Sequence, residues 1–89
     1  MIRRFVRHQV GDYATWRAVH DGFDPERRGM GVVGDAVYRG PDDGNDVTVW
    51  HDLATRVAAE AFAGSDRLQA VMHDAGVVGA PTIWFVSEA

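Results

Sequence analysis

Two short segments, Val47-Thr48-Val49-Trp50 and Ile83-Trp84-Phe85-Val86, carry large apolar side chains at odd and even positions alike. Successive residues of a strand point to opposite faces, so each segment needs cover on both sides. An antiparallel sheet with one wet face would alternate cleanly instead. The rest of the chain sets how much cover it can supply itself. Ile2 to Val10 reads as a first strand, with Ile2, Val6, His8 and Val10 on one face and Arg3, Phe5, Arg7 and Gln9 on the other. A helix follows from Tyr13 to about Phe23, capped by Asp12 and ended by Gly22 and Pro25. Strands over Val32–Arg39 and Val47–His51 flank an exposed turn at Gly40 to Asn45. A helical stretch runs from near Thr55 to Ala63, breaks at Gly64, restarts after Ser65 and stops at Gly76. The last strand is Thr82 to Val86.

The order β-α-β-β-α-β predicts an α+β, ferredoxin-like sandwich, with a four-stranded antiparallel sheet and helices on one face. Two helices cover only that face. A second copy of the chain most simply covers the other, so a homodimer is expected. Without a linker, repeat or low-complexity tract, residues 1–89 are expected to form a single domain.

Composition excludes several kinds of chemistry. The chain has no cysteine, which removes disulfides and thiolate metal sites. All nine basic residues are arginine, which removes Schiff-base chemistry and covalent attachment of pyridoxal phosphate. A net charge of -4 offers no field for a phosphate backbone, so no nucleic-acid partner is expected. Arg3, Arg4 and Arg7 read as part of a solvated strand. No apolar run reaches membrane-spanning length, and the start, MIRRFVRHQV, lacks a signal peptide's hydrophobic stretch. A cytoplasmic protein with no membrane partner is the expectation. Gly29-Met30-Gly31-Val32-Val33-Gly34 matches G-x-G-x-x-G, but it leads into a strand, whereas a dinucleotide site needs a helix there.

The histidines carry what chemistry remains, because imidazole titrates nearest neutrality. Three of the four precede an aspartate: His20, His51 and His73. Neighbouring residues point apart, so the dipeptide is not itself a device. In the expected topology the C-terminal ends of the first helix and the third strand meet, which pairs His20 with His51. His8 and His73 fall at the opposite end, about 20 Å away. His20 shares a helix stripe with Tyr13, Trp16 and Phe23. It is either a catalytic group or a core histidine held by a carbonyl. His51 faces either the helices or the dimer partner. His73 suits a helix C-terminus. Two histidines and a carboxylate would make a metal donor set, but no ligand pair has a metal-site spacing, so neither metal nor cofactor is expected.

The segments VGDYATWRAVHDGF, VTVWHDL and AVMHDAGVVGAPTIWF, with the overall length, resemble the dimeric α+β barrel superfamily. This group includes antibiotic biosynthesis monooxygenases and small polyketide cyclases. The resemblance spans essentially the whole chain and is one of architecture, with no motif diagnostic of an activity. It implies a dimer whose two sheets pack into a barrel, with a pocket in each subunit between sheet and helices. Its members include cofactor-independent oxygenases, cyclases, isomerases, haem-degrading enzymes and proteins with no known reaction. The expected function is therefore cofactor-independent acid–base chemistry on a small hydrophobic, aromatic or polyketide-like substrate, giving cyclisation, dehydration or isomerisation. A cofactor-free monooxygenase and a non-catalytic small-molecule-binding dimer are the alternatives. His20 would move the proton, His51 would assist, and Tyr13 or Tyr38 would donate to the oxyanion. Trp16, Phe23, Tyr38, Trp50, Phe62 and Trp84 are the candidate substrate-binding residues.

Overall fold

Strand β1 (Ile2–Val10) opens the chain and occupies an interior position of the sheet. Helix α1 (Tyr13–Gly22) begins at Asp12, whose extended backbone and carboxylate accept the Thr15 amide at 2.9 Å and its hydroxyl at 2.8 Å. This is the expected N-cap. Helix α2 (Asp24–Gly29), strands β2 (Val32–Arg39) and β3 (Asp46–Leu53), helices α3 (Arg56–Ala63) and α4 (Asp66–Asp74) and strand β4 (Val77–Ser87) complete the order. The computed structural model describes residues 1–89.

The sheet order is β2-β3-β1-β4 with every neighbour antiparallel, and the helices lie on one face, as expected. Thr55 and Ser65 cap α3 and α4 by accepting from the amides of Ala58 and Leu68. Gly64 separates those helices, as expected. Gly31 and Gly76 adopt φ of +102° and +82° at the two helix-to-strand turns, a region that side chains with a Cβ avoid.

Two elements depart from the sequence reading. Asp24-Pro25-Glu26-Arg27-Arg28-Gly29 has no apolar period, yet it forms α2, with Pro25 in its first turn and Asp24 bound to Arg28 at 3.0 Å. Proline suits that position because it needs no amide donor there. Strand β4 is also longer than Thr82 to Val86. Its register against β1 shifts between Arg7 and Gln9, so Gly79, Ala80 and Pro81 form an irregular stretch near His8. An edge strand tolerates a proline that a central strand would not.

Beneath the helices, two apolar clusters fill the covered face. One joins Phe23, Val32, Leu53, Ala59, Phe62, Leu68 and Val71, and the other Val10, Trp16, Val47, Val49 and Ala75. The opposite face has no helix. There Phe5 stacks on Trp84 with centroids 5.0 Å apart, and the Arg3 guanidinium lies 3.7 Å over Trp50. Arg3 also binds Asp52 through two hydrogen bonds, of 2.8 and 3.0 Å.

Candidate active site

The period of two in β1 and β3 decides which side chains meet under the helices. Arg4, His8 and Val10 share the covered face with Val47, Val49 and His51. Arg4 pairs directly with His51 across the strands, which places their Cβ atoms about 5 Å apart. Above them, α1 presents Trp16 and His20, one turn apart on the same helical face. Between sheet and helices lies a cavity of 40 Å³, lined by Arg4, His8, Trp16, His20, Arg27 and His51 together with apolar groups of the core.

A row of rings forms one wall. His8 meets Trp16 edge-on at 5.6 Å, and Trp16 stacks on His20 at 4.8 Å. His20 lies 6.3 Å from His51, which meets the face of Phe62 at 5.2 Å. No ring nitrogen of His8, His20 or His51 has a hydrogen bond to another protein group. The Nδ1 of His20 makes only a loose 3.5 Å contact with Asp21.

Their electrostatics follow from burial beside two arginines. Burial, then the charge of Arg4, push His51 down to about 3, with Arg27 and His20 adding smaller repulsions. Burial and Arg4 likewise push His8 down to about 4. His20 is lowered by burial and then by Arg27, against a partial pull upward from Asp21. All three are neutral imidazoles at neutral pH, and each keeps a ring-nitrogen lone pair without a protein donor. Arg27, from α2, is 3% exposed and reaches Asp24 at 3.3 Å and Asp35 at 3.4 Å. It also donates to the carbonyl of His20, fixing the end of α1. Arg4 is 2% exposed and has no carboxylate partner; its guanidinium stands 5.5 Å from the centre of the Phe62 ring.

Asp35 brings a carboxylate oxygen to within 4.8 Å of a nitrogen on both His20 and His51. Two imidazoles and a carboxylate form a familiar divalent-metal donor set. Bonds of about 2.1 Å, however, hold tetrahedral ligand atoms about 3.4 Å apart. An ion would have to contract the cluster and take Asp35 from Arg27.

The structure brings His20, His51, Trp16, Phe23 and Phe62 together. It places Tyr13 at the start of α1, outside the cavity lining, with Arg39 3.7 Å over its ring and Arg17 donating to its hydroxyl at 3.5 Å. Tyr38, Trp50 and Trp84 lie across the sheet from the cavity, because their strand parity is opposite to that of His51. The reading of Arg4 as part of a solvated strand is corrected, and so is the assignment of His8 to a distant pair with His73. Trp16 spans from His8 to His20, whereas His73 is exposed on α4. The signal was present: Arg4 and His8 share parity with Val6 and Val10. Nothing in the sequence marked Arg27 or Asp35.

No family model and no curated protein sequence matches the chain. Solved structures do. A candidate antibiotic biosynthesis monooxygenase from Bordetella bronchiseptica superposes with a TM-score of 0.82 at 19% identity, covering 99% of this chain and 96% of the other. The chain has the antibiotic biosynthesis monooxygenase-like fold. A second protein described by that name matches with a TM-score of 0.76 at 8% identity, over 100% and 99% of the two chains. SnoaB, a cofactor-independent oxygenase from Streptomyces nogalater, matches with a TM-score of 0.77 at 14% identity, over 98% and 91%. In this fold the cavity of the present chain lies between sheet and helices, where the resemblance implied a pocket. No helix is long and apolar enough to cross a membrane.

Proposed function

We propose that the chain is a cofactor-independent acid–base enzyme in which His20, assisted by His51, removes a proton from an enolisable hydrophobic substrate. The observation that carries this reading is a pair of neutral imidazoles whose buried ring nitrogens have no protein partner and which border one cavity. A neutral imidazole is a competent general base. Burial, and after it the arginine beside each one, holds it in that form. Trp16 and Phe23 supply apolar walls for the rest of the substrate; Phe62 packs against His51 from the core and does not line the cavity. A cavity of 40 Å³ holds a few waters, so a ring system needs more room than the cavity alone offers.

The carbanion formed can rearrange, giving cyclisation, dehydration or isomerisation. It can also react with dioxygen, with one oxygen atom entering the product and the other leaving as water. The likeness to SnoaB supports this second course equally. Two assays separate them. Benzylic hydrogen–deuterium exchange of phenylacetone in D2O, followed by NMR, reports the proton abstraction. His20→Ala is expected to slow it about 100-fold or more, and an unchanged rate would sink the proposal. Oxygen uptake with anthrone marks the oxygenase course, since anthrone and dioxygen give anthraquinone and water. Two copies pairing through their open sheet faces, each a single domain over residues 1–89, complete the proposed assembly.

A further inference from the structure

Eight of the nine arginines have evident work. Seven pair with a carboxylate, and the exposed Arg39 packs on Tyr13 and donates to the Gly44 carbonyl. Arg4 is the exception. It is 2% exposed, its Nε has no protein acceptor, and no ion pair reaches it. It sits on the face of β1 that otherwise builds core, so an apolar residue would satisfy the fold better. A buried, unpaired charge is among the most costly features a domain can carry. Such violations of local sense concentrate where a site needs them.

The surroundings sharpen what Arg4 is for. The cavity it lines contains no aspartate or glutamate, while Arg27 and three imidazoles complete its polar lining. A cation would meet two guanidinium groups there. An anion would meet Arg4 from one strand and the directly opposed His51 from the next, with His8 four residues along β1 on the same face. Guanidinium matches a carboxylate in shape as well as charge, through paired N–H donors.

We propose that Arg4, with His51 directly opposite, is a subsite for a carboxylate, and that the substrate is a small enolisable carboxylic acid. The assignment deepens the acid–base reading and rests on it for the chemistry. Binding at Arg4 fixes one end of the molecule and leaves its acidic C–H toward His20. The carboxylate also supplies the counter-charge that the folded chain lacks. A carboxylate from a partner subunit would satisfy Arg4 by the same chemistry, and the experiment separates the two sources.

Three probes differ in one group on a shared phenyl-CH2-C(=O) frame: phenylpyruvate, its methyl ester, and phenylacetone. Calorimetry on the full chain is expected to show phenylpyruvate binding at least tenfold more tightly than either neutral analogue. Arg4→Met should abolish that preference and raise the melting temperature of the free protein. In unmodified protein, the Arg4 Nε–H resonance should move on adding phenylpyruvate and stay still with the ester, a readout that needs no variant to fold. Equal affinity for the three probes overturns the subsite, as does a preference that survives in Arg4→Met. A resonance unmoved by phenylpyruvate also overturns it, and is the result expected if a partner's carboxylate already holds Arg4. Benzylic deuterium exchange is read in the same samples. Carboxylate preference without exchange would sustain the subsite and reject the acid–base reading. Exchange without preference would do the reverse.

Discussion

His8 and His51 are held neutral by burial and by Arg4, and this links them to stability. Their folded values, about 4 and about 3, lie below the unfolded value of 6.5. Between those limits the unfolded chain binds protons that the folded chain refuses, so stability falls as the solution is acidified. The contribution is complete above about pH 6.5 and is lost as pH drops through the folded values, at up to about 1.4 kcal/mol per pH unit for each imidazole. Urea titrations at pH 7.0, 6.0 and 5.0 should show this slope. It should shrink in His51→Phe, and a flat profile would contradict the neutral assignment. Arg4→Met is expected to stabilise the free protein by about 1–3 kcal/mol, because it removes a buried charge without a partner; the same titrations at pH 7.0 measure it. How much of this was legible depends on the residue. Parity alone places Arg4 and His8 beside Val6 and Val10, but three clustered arginines suggest a solvated strand more strongly than they suggest one buried member. The face of His51 was open from the sequence, because Trp50 and His51 are both bulky and either could be inside.

At the scale of elements, capping chemistry and glycine punctuation marked the helices well. Asp12, Thr55 and Ser65 each accept the amide that their position predicts. Helix α2 escaped because it is specified by ion pairs and proline, not by an apolar stripe, and only the tertiary structure shows what it does. It carries Arg27 under α1, where the guanidinium joins the His20 carbonyl, Asp24 and Asp35. Replacing Arg27 with leucine leaves Asp35 without its cation and frees the end of α1. The expected loss is about 2–4 kcal/mol. The pKa of His20 should rise at the same time, since Arg27 is a named cause of its lowering. A 15N-detected titration of the imidazole reads the second effect independently of the first. Strand β4 was legible only in its apolar half. The expected strand began only at Thr82, after Gly79 and Pro81, and an edge position next to a register shift accommodates both.

For the whole molecule, the open face of the sheet is the largest unresolved demand on the fold. Phe5, Trp50 and Trp84 meet there, and Trp84 keeps 39% of its surface exposed. Light scattering coupled to gel filtration is expected to give twice the 9.8 kDa chain mass. Trp84→Glu should shift the species to one chain mass while leaving the cavity side intact, and a monomeric parent protein would refute the dimer. The two-sided apolar strands thus reported a real feature of the fold, although the sequence did not say which aromatic belonged to which side. The distribution across the sheet has a consequence for how such a chain can change over evolution. In β1 and β3, two sets of residues are interleaved like two messages written on alternate lines. Arg4, His8 and His51 speak to the cavity, and Arg3, Phe5, Trp50 and Asp52 to the open face. Point substitutions can edit one message and spare the other. A single-residue insertion or deletion within either strand scrambles both at once, so the family tree of this chain should record lengthened loops and exchanged side chains, but strands of fixed phase.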